Sequence, residues 1–341
     1  TYTVSEVLPS DWTQSYPAAG SYTVTLESGD VDEGNDFGNF QNATKSGMKF
    51  HDLNVNGVND DEPGLPGWTI NLTGTDGMGN SVSLSTATDE SGHYSFSVPP
   101  GTYTVSEVLL SGWTQSCPAS GAYTVTLESG QVDEGNDFGN FRGAIKSGMK
   151  FHDLNGNGVN DGEPGLQGWT INLTGADSMG NSVSMSTTTD ENGNYSFGVP
   201  PGTYTVSEVL PSGWTQSYPA AGSYTVTLAS GDVDDGNDFG NFRNATKSGM
   251  KFHDLNGNGV NDGEPGLPGW TINLTGTDGM GNSVSASATT DENGDYSFSV
   301  PPGTYTVSEV LPSGWTQSYP ASGSYTVTLA SGDVDDGNDF G

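Results

Sequence analysis

The chain has 341 residues, with 8 Lys plus Arg against 42 Asp plus Glu, a formal net charge of −34 and an isoelectric point near 4.1. That excess repels nucleic-acid phosphate and anionic lipid. No apolar run approaches the roughly 18 residues of a membrane span, and the single cysteine, Cys117, excludes an intrachain disulfide framework. Gly and Pro make up about a fifth of the residues, but 34 aromatic side chains are too many for a disordered chain. The opening Thr1-Tyr2-Thr3-Val4 has neither the basic nor the apolar region of a signal peptide.

The segment Gly-Thr-Tyr-Thr-Val-Ser-Glu-Val recurs with its tyrosine at Tyr103, Tyr204 and Tyr305, steps of 101 residues without insertions. Residues 304–341 repeat the register of residues 1–38, so the sequence reads as an excerpt from a longer array. Turn-like composition at 142–148 places units at 45–145, 146–246 and 247–341, with 1–44 the tail of a preceding unit.

Within the first complete unit the elements are all strands, because apolar residues alternate with period 2 and never with period 3.6. Met48 and Phe50 predict the core face of the first strand. Trp68, Ile70 and Leu72 follow, then Val82 and Leu84 between serines. After the turn Asp89-Glu90-Ser91-Gly92 come Tyr94, Phe96 and Val98, then Tyr103, Val105 and Glu107 on one face. Tyr123, Val125 and Leu127 share another face, and Phe138 opens a last short run. About seven short strands between Gly, Pro, Asn and Asp turns predict an antiparallel β-sandwich. Simple up-down order would bring the chain in at one pole and out at the other. Linkers of about seven residues would then string the sandwiches end to end as a rod.

The segment after the first strand carries the sharpest chemical signal. Asp52, Asn54, Asn56 and Asp60 stand at positions 1, 3, 5 and 9 of a loop with Gly57 at position 6. This is the oxygen spacing of an EF-hand-type calcium loop, in which the position-7 carbonyl, here that of Val58, is also a ligand. The second loop supplies Asp153, Asn155, Asn157, Val159 and Asp161, and the third Asp254, Asn256, Asn258, Val260 and Asp262. The closing acids Glu62, Glu163 and Glu264 fall at position 11, where an EF-hand uses 12. Three copies in a strongly acidic chain point to Ca²⁺ rather than to turn chemistry alone. Two neutral Asn per loop suit the weaker affinity of extracellular sites.

Ser147 to Leu166, containing Met-Lys-Phe-His-Asp-Leu-Asn-Gly-Asn-Gly, resembles the opening of the B-type repeats of serine-aspartate repeat adhesins. Later landmarks are similar too: Thr189 to Phe197, Pro201 to Glu208, and Asp238-Phe239-Gly240-Asn241-Phe242. The resemblance covers essentially the whole chain. It implies Ig/transthyretin-like sandwiches of the collagen-adhesin B superfamily, which stiffen stalks on microbial surfaces. It also implies calcium at Asp153, Asn155, Asn157, Asp161 and Glu163 and at their equivalents. Members usually carry one more residue before that Glu, which is the departure noted above.

A related branch of that superfamily forms Lys–Asn isopeptide bonds with a buried carboxyl as proton shuttle, and the candidates here are Lys49, Asn140 and Glu107. Glu107 shares a face with Tyr103 and Val105, which predicts burial and a raised pKa. Lys49 has the opposite parity to Met48 and Phe50, so it is expected to point away from the core, which argues against the bond.

The remaining features are plainer. The acidic run Asp133 to Asp137 precedes the last strand. Up-down order would set it beside the preceding unit's calcium loop, as a source of extra ligands or as a solvated turn. Sequons at Asn42, Asn71, Asn172, Asn194, Asn244 and Asn273 are candidate glycosylation sites, Asn71 with outward parity. His51, His152 and His253 lack zinc partners, Trp113 reads as a hydrophobic plug rather than a sugar platform, and Cys117 stands where the other units have Tyr16, Tyr218 and Tyr319. No nucleophile–base pairing, phosphate loop or convergent His suggests an enzyme. The expectation is an extracellular, cell-surface structural protein: a calcium-stabilised stalk or filament. Its partners would be its own neighbouring repeats, other copies in a fibre, and glycans, with neither nucleic acid nor membrane. The alternative is an adhesin whose repeats bind carbohydrate or a host or matrix ligand.

Overall fold

The computed structural model describes all residues, Thr1–Gly341, and is all-β. In the first complete repeat the strands are β1 (Ala43–His51), β2 (Thr69–Asp76), β3 (Ser81–Ala87), β4 (His93–Val98), β5 (Gly101–Glu107), β6 (Trp113–Cys117), β7 (Ala122–Leu127), β8 (Val132–Asp133) and β9 (Phe138–Arg142). One sheet has the order β3-β2-β5-β7 with antiparallel neighbours throughout. The facing sheet has the order β4-β1-β9-β6, and β8 precedes β9 along the same edge of β1.

Alternation fills the space between the sheets. Ile70, Leu72 and Val105 are fully buried, and Tyr94, Phe96, Tyr103 and Phe138 complete the same core. Each such aliphatic side chain contributes about 1.5–3 kcal/mol by leaving water. The Tyr94 hydroxyl donates to Asn136 O at 2.5 Å, passing over Gly47, where a Cβ would lie 2.7 Å from that hydroxyl. The strand therefore requires glycine at this point. The segment before β1 forms two two-stranded sheets, Tyr2–Val4 with Tyr22–Val24 and Trp12–Tyr16 with Gly38–Gln41.

Four expectations change. First, the parity of β1 is the reverse of that read from Met48 and Phe50. Ala43, Lys45 and Lys49 are buried against the core, whereas Met48 lies on the outer face. Phe50 is buried from the other side, where Gly64 bridges to it and Gly139 leaves room for its ring. An aromatic covered by a loop has the same apolar signature as one in the core.

Second, simple up-down order fails, because β8 and β9 pair parallel with β1. The chain still leaves at the pole opposite its start, since the first and last strands run the same way. Third, the first two repeats have nine strands each, because β6 and two-residue β8 also form, while the third repeat has seven. Fourth, the linkers are much shorter than seven residues. Only Gly143 separates β9 from the next repeat's first strand, Ala144–His152, and Arg243–Asn244 do the same at the following joint. The turn-like stretch at 142–148 is mostly strand. First strands begin at Ala43, Ala144 and Ala245, two residues before the boundaries at 45, 146 and 247.

Candidate functional site

The loop from Asp52 to Glu62 leaves β1 at one pole and is wound inward. Fully buried Asp52 accepts the Asn56 N–H at 3.1 Å and the Gly57 N–H at 2.9 Å. Asn56 Oδ1 accepts the Val58 N–H at 2.7 Å, while the Asn54 and Asn56 side-chain amides donate to Asp60 at 3.2 and 3.1 Å. Glu62 reaches back to the Leu53 N–H at 2.6 Å, so position 11 does close the loop. The second loop repeats these contacts, with Asp153 taking the Gly158 N–H at 2.8 Å and Glu163 the Leu154 N–H at 2.6 Å. In the third, Asp254 takes the Gly259 N–H at 2.8 Å and Glu264 the Leu255 N–H at 2.7 Å. Gly57, Gly158 and Gly259 have φ between +72° and +75°, a region that favours glycine and makes the bend.

In every loop the second carboxylate oxygen of the closing acid, on Glu62, Glu163 and Glu264, is buried with no hydrogen-bond partner. Burial raises the pKa of Glu62 and Glu163, against the lowering effect of the Leu53 and Leu154 amides. Carboxylates, Asn oxygens and a carbonyl thus share one small loop with no basic side chain bonded into it, as a hard cation requires. The fit depends on this mixed set, since no three His, Cys, Asp or Glu side chains converge closely enough by themselves.

A second constellation lies directly below. Lys49 is fully buried, contrary to the outward direction expected from parity, because β1 turns its odd-numbered residues inward. Its Nζ lies 3.2 Å from Glu107 Oε2, 4.7 Å from the Trp68 ring centroid and 3.1 Å from Phe138 O. Asn140, also fully buried, pairs with His51 across the β1–β9 ladder. The second repeat brings Lys150 to 3.1 Å from Glu208 and into contact with the Asn241 amide oxygen. In the third, Lys251 lies 3.1 Å from Glu309. In the N-terminal segment the equivalent residues do pair, with Asn39 Nδ2 donating to Glu6 at 2.8 Å. Burial lowers Lys49 and Lys150 to about 8 and raises Glu107 and Glu208, so both partners move toward their neutral forms. The Glu107 oxygens and the Asn140 amide are buried without hydrogen bonds.

Other expected positions resolve separately. Asp133 ion-pairs with buried Lys45, and Asp137 accepts the Met48 N–H at 2.7 Å, so the acidic run is engaged within its own repeat. The preceding loop is met instead by Ser230, which sequence reasoning missed; its N–H donates to Leu53 O at 3.1 Å. The available signal was the recurrence of Ser-Gly at 129, 230 and 331. Trp113 is half-buried, edge-on to Trp68 at 5.3 Å, with the Arg142 guanidinium 4.5 Å over its ring. It packs the joint and offers no open platform. His51 stands 4.9 Å from Trp113 and bonds Ser230 Oγ at 2.8 Å. Cys117 Sγ lies 3.5 Å from the Tyr123 hydroxyl. Among the sequons, Asn42, Asn194 and Asn244 are exposed, and Asn71, Asn172 and Asn273 are half-buried on the outer sheet face.

The SdrD B-like domain family matches residues 47–139, 148–241 and 249–338. The chain belongs to the SdrD B-like domain family. Serine-aspartate repeat-containing protein D of Staphylococcus aureus is 30% identical over 304 residues, covering 81% of this chain and 22% of that protein. Serine-aspartate repeat-containing protein F of Staphylococcus epidermidis is 31% identical over 310 residues, covering 80% of this chain and 17% of the relative. The chain thus spans about a fifth of the length of these curated relatives. The major pilin subunit of Bacillus cereus aligns over 88% of this chain and 99% of its own at 12% identity. The TM-score is 0.37. SdrD B-like membership gives tandem β-sandwiches and an extracellular, cell-surface location. No helix is long and apolar enough to cross a membrane.

Proposed function

We propose that this chain is a section of a non-enzymatic extracellular stalk or filament, built to hold its length under load. The carrying observation is the path of the backbone. It enters each sandwich on β1, leaves on β9 paired parallel beside it, and passes within one or two residues into the next repeat. Pulling on the ends therefore shears a buried pair of strands instead of peeling an edge. The adhesin alternative is less favoured, because the Trp113 ring is packed into a joint and the loops are nearly copied between repeats. Electron microscopy of arrays with different repeat numbers tests the reading: length should grow by a constant step per repeat. Collapsed or variable contours would oppose it.

Two devices would stiffen each repeat. Ca²⁺ would be held by Asp52, Asn54, Asn56, Asp60, Glu62 and the Val58 carbonyl, and by the equivalents in the other loops; bound there it would neutralise clustered carboxylates. The second device is a Lys–Asn crosslink. The neutral Lys49 amine attacks Asn140 Cγ, a new C–N bond forms, the amide C–N bond breaks, and ammonia leaves. Glu107 carries the proton from the amine to the departing nitrogen. The buried orphan polar atoms around Asn140 support this reading.

The sequons are proposed as carbohydrate sites where the source has the transferase. Glycopeptide mass spectrometry should find hexose-bearing Asn194 before Asn71, since Asn194 is exposed and Asn71 half-buried between β3 and β5. Bare peptides at both would remove glycans from the account.

A further inference from the structure

We propose that each repeat completes the dry chamber of the repeat before it, so that docking of the following sandwich promotes closure of its neighbour's Lys–Asn bond. This rests on the crosslink reading and adds positioning residues to it. The chamber wall can be followed outward from Lys49. Trp68 lies against the amine, Trp113 stands edge-on to Trp68, and the His51 ring and Arg142 guanidinium flank Trp113. Both residues are bonded by one side chain from the next repeat, His51 at its ring and Arg142 at its backbone amide. Ser230 Oγ bonds His51 Nε2 at 2.8 Å and accepts the Arg142 backbone N–H at 2.7 Å, while its own N–H donates to Leu53 O at 3.1 Å.

The second joint has the same parts. Lys150 lies 4.4 Å from the Trp169 ring, Trp169 is 5.3 Å from Trp214, and Trp214 is flanked by His152 at 5.0 Å and Arg243 at 4.5 Å. Ser331 Oγ bonds His152 Nε2 at 2.8 Å and accepts the Arg243 N–H at 2.7 Å; its N–H donates to Leu154 O at 2.7 Å.

The physical link is water. Attack requires an uncharged amine and a protonated carboxyl at the same time, a state disfavoured wherever water can solvate the ammonium–carboxylate pair. Arg142 stands two residues beyond Asn140 on β9, and His51 pairs with Asn140 across the ladder. A loose His51, Arg142 and Trp113 would therefore open the chamber directly above the reacting atoms. Ser230 touches none of those atoms and acts only by fixing the lid.

The test uses the full chain and follows ammonia loss during refolding, assigned to each Lys–Asn pair by peptide mapping. In Ser230→Ala, closure at Lys49–Asn140 should slow several-fold, up to about tenfold for one lost hydrogen-bonding side chain. Closure at Lys150–Asn241, inside the mutated repeat, should keep its rate. Ser331→Ala should reverse the pattern, slowing Lys150–Asn241 and sparing Lys49–Asn140. Local destabilisation would instead slow the pair in the mutated repeat. That outcome, or equal rates at both pairs in both variants, overturns the proposal. An unmodified wild-type mass removes the crosslink reading and this inference with it.

Discussion

Asn241→Ala is expected to raise the mass of the chain by one ammonia beyond the substitution itself, and to lower the melting temperature of the second repeat more than any surface change. Lys150 and Asn241 are 91 residues apart, so a covalent bond between them closes almost the whole repeat into a loop. By analogy with disulfides, closing a loop of that length contributes about 4–5 kcal/mol. For a domain of this size each kcal/mol moves the midpoint by about 4–8 °C, so a loss of roughly 20 °C or more is expected. Glu208→Gln separates chemistry from packing. It keeps Lys150 and Asn241 in place but removes the proton carrier, so it should also retain the ammonia. Full crosslinking in that variant would contradict the assigned role. Intact-mass spectrometry and calorimetry read both effects.

The second large effect belongs to the ion loop. Asp153→Ala removes the fully buried carboxylate that accepts the Asn157 and Gly158 N–H groups, at 3.0 and 2.8 Å. The loss of buried charge-assisted hydrogen bonds costs about 1.5–3 kcal/mol each, even without an ion. With an ion, the mass-action term is lost as well, about 2.7 kcal/mol when free ligand is a hundredfold above its dissociation constant. The variant should thus melt lower in calcium than in chelator-treated wild type. Glu163→Gln is the milder probe: it keeps the shape of the side chain while weakening the carboxylate whose second oxygen is buried and unpartnered. It should lower calcium affinity and leave the chelated melting point nearly unchanged. Equal calcium affinity in wild type and Glu163→Gln would show that Glu163 is not a ligand.

Much of this was legible in the residues. Period-2 alternation at Trp68, Ile70 and Leu72 and at Tyr94, Phe96 and Val98 gave true inward faces, because both strands are covered on one side only. The first strand misled because it is covered on both. Phe50 is buried by the Gly64 and Gly139 backbone, so apolar parity pointed outward from the core. The inward positions were held by Lys45 and Lys49, a residue type that is rarely buried unless paired. Their partners, Asp133 and Glu107, lie 88 and 58 positions along the chain, a separation at which no local pattern joins them. The parallel pairing of β1 with β9 was hidden for the same reason. The joints were hidden because their key residue, Ser230, is an ordinary turn serine until the preceding repeat is set against it. The loops proposed to hold calcium could be picked out as candidates because every oxygen side chain concerned sits within eleven residues.

We propose that an acidic array without disulfides becomes a stiff stalk by taking up calcium. The most direct test is calorimetric melting of the wild-type chain over a range of free calcium and in excess chelator. The account predicts a midpoint that climbs with free calcium, by an amount following the logarithm of its concentration above the dissociation constant. Superimposable melting curves in calcium and in chelator would contradict it.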